Sequence, residues 1–273
     1  VIIVLVLLLV SNSFYGQNLK IMTYNIRLDV ASDGENAWSN RKNFFTSQIQ
    51  FYSPDIFGVQ EALPNQVADI ATALPEYNKF GIGRESEGKG EACTIYYKKD
   101  RLLLQESNTF WLSETPTVVS KGWDADLNRT FTKTQFKALK SGQSFYFFNT
   151  HFDHMGKQAQ LQSALLLKAE VEQLPKQSKV LLTGDFNVEP SSEPYKALSK
   201  SLNDSALVAK QKLSKNAGTF NGFGREPNSP SQTIDFIFVS KNLQVTSYQV
   251  DNRRYNGLYP SDHEALLAVV ELD

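Results

Sequence analysis

Four short segments end on residues that can bind metal or move protons: TYN at Asn25, GVQE at Glu61, FNTH at His151, and TGDFN at Asp185 and Asn187. Two more begin that way, with Asp235 opening DFIFVS and Ser261, Asp262 and His263 preceding ALLAVVEL. A strand that leaves the core needs only some polar residue, and Lys, Ser or Gly suffices. Here the ends supply Asn, Glu, His and Asp, with two of the chain's 3 histidines among them, which points to one shared site. Carboxylate and amide oxygens are hard donors suited to Mg²⁺, Mn²⁺ or Ca²⁺, whereas zinc recruits several histidines or cysteines. A hard cation beside two imidazoles suits hydrolysis at phosphorus, where charge builds on phosphoryl and leaving oxygens and a base must orient water. Acyl transfer would need a nucleophile, and no G-x-S-x-G elbow occurs.

The elements that must carry these residues are short apolar, β-branched or aromatic runs. They predict strands at LKIMTYNI, DIFGVQ, ACTIYY, RTFTKTQFKAL, SFYFFNT, KVLLTGDF, IDFIFVS, VTSYQV and EALLAVVEL. Helices are predicted from Arg41 to Tyr52, Gln66 to Leu74, Lys157 to Leu174 and Glu193 to Lys200. Asn40 and Asn65 are expected N-caps, and Pro54, Pro75 and Pro175 sit where the first three helices would stop. Strands outnumber what simple βαβ alternation supplies. Two packed sheets with helices outside fit better.

The 273 residues, 41% of them hydrophobic, can bury a large core, and no linker or repeat divides them. A formal net charge of -1 provides no global field for a polyanion, although a local patch would not show in that total. Cys93, the only cysteine, excludes an intramolecular disulfide and a cysteine metal cluster. The run VIIVLVLLLV is too short to span a bilayer and reads as the core of an export signal, giving a signal peptide over 1–17 and one domain over 18–273. The expected location is periplasmic or secreted, without stable membrane insertion after processing; the competing reading is an uncleaved anchor.

In order along the chain, TYNIR, GVQE, GEACTIYYKKD, NTHFDH, LTGDFN, IDFIFV and PSDHEAL resemble the endonuclease/exonuclease/phosphatase superfamily, the fold of pancreatic deoxyribonuclease, neutral sphingomyelinases and inositol phosphatases. NAWSNRK, FWLSETP and KGWDADLNRTFT are further similar to a bacterial, mostly exported subgroup of metal-dependent hydrolases. The resemblance implies an α/β fold, a four-layer α/β/β/α sandwich of two mixed sheets packed face to face with helices outside. It implies Mg²⁺ (or Mn²⁺), with Glu61 as principal ligand supported by Asn25 and Asp262. It gives Asp185 the attacking water and Asn187 the transition state or that water. His151 and His263 would bind the scissile phosphate or act as acid and base, held respectively by Glu91 and Asp235, and Arg27 and Arg129 would face the phosphate.

Weaker signals point elsewhere. His154 is expected on the surface or the substrate side rather than as a ligand, and GIGRESEGKGE, lacking phosphate-loop spacing, as a mobile loop. Trp111 is expected to pack between strands, with Trp38 and Trp123 in loops that could stack on a substrate. The expected partner is a phosphate-ester substrate, small and sugar-linked or lipid-linked, with no protein partner. Nucleic acid is the alternative if Lys89, Lys98, Lys99, Arg101, Lys121, Arg129, Arg225, Arg253 and Arg254 form a patch. A non-catalytic scaffold is the third reading, and every matched position argues against it.

Overall fold

The computed structural model describes residues 17–214, 217–226 and 230–272, so the predicted signal segment lies outside the described residues except for Gln17. The chain begins with β1 (Gln17–Asn25), α1 (Trp38–Tyr52), β2 (Ile56–Ala62), α2 (Pro64–Ala73), β3 (Tyr77–Phe80), β4 (Ala92–Lys98) and β5 (Leu102–Trp111). It continues through β6 (Thr130–Ala138), β7 (Ser144–His151), α3 (Lys157–Glu172), β8 (Val180–Asp185), α4 (Glu193–Ser199), β9 (Leu202–Asp204) and α5 (Ser205–Val208). It ends with β10 (Gln211–Lys212), β11 (Asp235–Ser240), β12 (Gln244–Asp251) and β13 (Ala265–Leu272). A 7-stranded sheet has the order β10-β12-β13-β1-β2-β4-β3, and a 6-stranded sheet β5-β6-β7-β8-β11-β9.

Period-two alternation builds the layers. Leu19 and Ile21 of β1 face Phe147 and Leu181 of the other sheet, while the intervening Met22 and Tyr24 join Trp38, Phe45 and Ile49 beneath α1. In β8, Leu181 packs between the sheets and Val180 and Leu182 pack with Ala164 and Leu167 of α3. Both faces of each central strand are therefore buried. The result is the expected four-layer α/β/β/α sandwich.

Local predictions held least well at helix starts. α1 begins at Trp38, so Asn40 lies inside it and bonds the Glu35 carbonyl at 3.1 Å rather than capping. α2 begins at Pro64, whose missing N–H costs nothing in a first turn; Gln66 Oε1 accepts from Leu63 N at 3.0 Å, and Asn65 is no cap. Trp38 is 1% exposed, with its indole N–H on Asp69 at 2.8 Å, so it cannot stack on a substrate. Trp111 is buried as expected, and Trp123 stays on a half-buried loop. The unpredicted strands β3, β5, β9 and β10 are short or lie at sheet edges, where one-sided exposure blurs the apolar pattern.

A buried polar spacer joins the two sheets behind the site. Asn149 of β7 donates to the Val59 carbonyl at 2.8 Å and the Thr94 carbonyl at 3.2 Å, and accepts from Gln60 at 2.6 Å. Gly58 makes room for it: a Cβ there would collide with Asn149 Oδ1 and lie 2.7 Å from Thr183 Oγ1. Gly58→Ala is accordingly expected to cost about 1–3 kcal/mol through overpacking, read as a lower urea midpoint at unchanged slope. A midpoint equal to the wild type's would show that the sheets have slack here.

Candidate active site

Strand direction explains why polar residues close some strands and open others. β1 and β2 run parallel, as do β7 and β8, and bring Asn25, Glu61, His151 and Asp185 to one edge of the sandwich at their C-terminal ends. β4, β6, β11 and β13 run the other way, so Glu91, Arg129, Asp235 and His263 reach that edge at or just before their starts. The backbone is strained there: Arg27, Glu61 and Asn187 have φ of 54, 64 and 50°, left-handed values that residues other than glycine hold only under constraint. At Glu61 the pairing of β2 with β4 shifts register between Val59 and Ala62, and this irregularity re-aims the carboxylate.

Asp185 is the hub. Its Oδ2 accepts from Asn25 Nδ2 at 2.9 Å and lies 3.4 Å from His151 Nε2 and 3.7 Å from His263 Nε2, while Oδ1 accepts from Asn187 N at 2.9 Å. The other Asn25 amide contact goes to Glu61 Oε1 at 3.0 Å, and Glu61 Oε2 accepts from Leu28 N at 3.0 Å. Asn25 thus turns its NH₂ to both carboxylates and its oxygen to Arg27 N. Burial and the neighbouring Asp235 push Asp185 up to about 7, against the pull of His263 and Asn25.

The two imidazoles are tuned apart. His263 Nδ1 bonds Asp235 Oδ2 at 2.8 Å; burial opposes charge on the ring, but Asp235 and Asp185 outweigh it and hold its pKa well above the ordinary value. His151 has Arg129 Nη1 at 3.1 Å, and burial, then Arg129, drive its pKa well down. The two rings are thus biased in opposite directions, the kind of separation that can divide acid from base work. The expected Glu91–His151 bond is replaced: Glu91 is gripped by Arg84 at 2.8 Å, because a guanidinium fork matches a carboxylate better than an imidazole does.

A cavity of 370 Å³ opens at this edge, lined by Arg27, Glu61, Glu91, Arg129, His151, Asp185, Asn187, Asp262 and His263. Asn25 and Asp235 stand behind that lining. Arg27 is held by Asp33 at 3.0 Å and lies 3.8 Å from Asp262; His154, exposed as expected, has Nδ1 3.1 Å from Arg129. Asn187 donates its amide to the Phe152 carbonyl at 3.0 Å.

The donor set fits a hard divalent cation. Glu61, His151 and Asp185 each present one atom within 4.8 Å of the others, and Asp185, Asp235 and His263 do the same. Burial and then Glu61 raise Glu91, and burial raises Asp262 with Glu61 adding to it, which marks more buried negative charge than the arginines neutralise. The carboxylates predominate and no cysteine takes part, since Cys93 is buried against Thr130 O.

Four contributors escaped sequence reading. Phe220 meets His263 edge-on with centroids 5.0 Å apart, and Thr219 Oγ1 accepts from Asp235 N at 3.1 Å. Gln160 of α3 donates to the Asp153 and Asn187 carbonyls at 2.8 and 3.1 Å, tying two site loops together. Arg84 comes from GIGRESEGKGE, which is a paired loop: Arg84 N bonds Glu91 O, and Trp111 donates to Arg84 O at 2.8 Å. No motif surrounds these residues, so only their contacts reveal them. Several of the cations weighed for the nucleic-acid alternative lie apart from the site or are already paired. Lys98, Lys99 and Arg101 follow β4 to the opposite edge, Arg253 and Arg254 are paired with Asp251 and Glu264, and Lys89 with Glu87.

Comparison with known proteins agrees with this geometry. The Endonuclease/Exonuclease/phosphatase family pattern matches residues 22–263. An endonuclease/exonuclease/phosphatase from Bacteroides vulgatus is similar at 37% identity, over 94% of this chain and 100% of that one, with a TM-score of 0.89. A mannosyl-6-phosphatase from Bacteroides thetaiotaomicron is similar at 36% identity, over 92% and 99%, with a TM-score of 0.85. Nocturnin from Drosophila melanogaster is 26% identical over 94% of this chain and 47% of its own length; the chain spans about half the length of the curated relatives it matches. The chain belongs to the endonuclease/exonuclease/phosphatase family, a superfamily of divalent-metal-dependent hydrolases.

Proposed function

We propose that the protein is a Mg²⁺- or Mn²⁺-dependent phosphoesterase acting on a small, sugar-linked or lipid-linked phosphate ester. The observation that carries this reading is the pair of oppositely tuned histidines flanking Asp185 at a compact cavity. The likeness to a mannosyl-6-phosphatase supports a sugar-linked ester. Nocturnin and a probable RNA exonuclease support a polynucleotide instead, but the cationic residues that would track its backbone lie elsewhere or are already paired. The apolar run at residues 1–10 supports export.

In this mechanism Asp185 takes the proton of the attacking water as its oxygen joins phosphorus, and Asn187 orients that water. His263 donates to a non-bridging oxygen whose charge grows as the ester P–O bond breaks, and Asp235 fixes its tautomer. Arg129 and Arg27 hold the remaining oxygens, the leaving oxygen takes its proton from solvent water, and Asp185 returns the proton it accepted to solvent. A divalent cation would be held by Glu61 and Asp185 with Asp262 beside them, and would supply charge neutralisation at phosphorus.

A panel of hexose phosphates, a bis-aryl phosphate and plasmid DNA tests the substrate. Turnover of the small esters that chelator abolishes and Mg²⁺ or Mn²⁺ restores is expected. Salt-sensitive nicking with inert small esters would transfer the assignment to nucleic acid. Asp185→Ala is expected to lose on the order of a thousandfold or more in kcat at unchanged fold, and full activity would remove Asp185 from its role. Asp235→Asn is expected to cost on the order of a hundredfold. It should also move the alkaline limb of kcat/KM to lower pH, because the carboxylate that raises the His263 pKa has lost its charge. An unmoved limb would assign that limb to another group.

A further inference from the structure

The net charge of -1 conceals a polarised molecule. Loops at the catalytic edge carry DVASDGE at 29–35, ESEG at 85–88 and WDADL at 123–127. At the opposite edge, where β1, β2, β7 and β8 begin and β4, β6 and β11 end, the turns read KKDR at 98–101, LKSG at 139–142, PKQSK at 175–179 and SKN at 240–242. Strand direction sorts these segments. A cavity of 640 Å³ opens at that basic edge among Lys20, Lys98, Arg101 and Lys140, with Asp55 as the acid in its lining. Asp55 is already used by Arg101 at 3.4 Å and by Lys20 N at 2.8 Å, so positive charge prevails.

The chain enters the sandwich at this same edge. β1 starts at Gln17, and only SNSFYG, residues 11–16, separates it from ten residues without a polar group. Basic side chains next to a membrane-seeking segment are attracted by anionic headgroups. Acidic proteins would meet the same charge, but they would not account for the adjoining apolar run.

We propose that, in the form retaining residues 1–10, the edge opposite the active site docks on an anionic lipid bilayer. The catalytic edge then points away from the lipid by the length of the strands, about 30 Å for the nine residues of β1. The site then opens to the aqueous side. This inference does not depend on the phosphoesterase reading, because its readout is binding.

The test is sedimentation of the full chain with vesicles of phosphatidylcholine alone and of phosphatidylcholine mixed with phosphatidylglycerol. The first measures what the apolar run contributes by itself. Phosphatidylglycerol is expected to raise the partition coefficient about tenfold at low salt, and high salt should remove the gain. Lys99, Lys140 and Lys176 are exposed loop residues outside the site, so the variant K99E/K140E/K176E should fold and keep wild-type turnover of a soluble ester. It should show only the phosphatidylcholine level of binding; the neutral K99Q/K140Q/K176Q, which should lose part of the gain, guards against effects of charge reversal. Equal binding to both vesicle types, or a lipid preference that survives in both variants, overturns the proposal. Binding of these lysines to duplex DNA without any preference for phosphatidylglycerol also overturns it, in favour of a nucleic-acid surface.

Discussion

A carboxylate buried to 1% exposure in the seam between two sheets is the constraint around which this molecule is organised. Asp185 cannot keep a charge there alone, because stripping water from an ion costs more than any single neighbour returns. Asn25 reaches it from the first sheet, Asn187 N from its own loop, and the two imidazoles from β7 and from the start of β13. Each contact requires the sheets to meet at one register. The packing of Asn149 over Gly58 sets that register deeper in the sandwich.

The same crowding supplies the chemistry. Burial and then Glu61 raise the pKa of Asp262, burial and then Arg129 lower that of His151, and Asp235 with Asp185 raise that of His263 against burial. A fold stabilised for its own sake would have apolar groups at this edge. Left-handed backbone at Arg27, Glu61 and Asn187 belongs to the same pattern, in which local strain aims side chains at a common point and the surrounding core sustains it.

Recurrent sheet direction also segregates charge. Acid-rich loops follow β1, β3 and β5 at the catalytic edge, while KKDR, LKSG, PKQSK and SKN turn at the other edge. A polyanionic substrate therefore meets the least favourable side of the molecule except at the cavity itself, where Arg27 and Arg129 are built in.

Residue type alone pointed to Asn25, Glu61, His151, Asp185 and His263 as neighbours, because six strand ends carry carboxylate, amide or imidazole groups that contact with water alone would not require. Short β-branched and aromatic runs likewise marked the central strands, both of whose faces are buried. Only the tertiary structure decided partners. Glu91 goes to Arg84 and not His151, Gln160 reaches from α3 to the Asn187 loop, Phe220 packs on His263, and the cations of KKDR end far from the site. The reason is physical: hydrophobic alternation is local and repeats every two residues, whereas a hydrogen bond or ion pair depends on where distant loops meet, and no spacing along the chain encodes that distance.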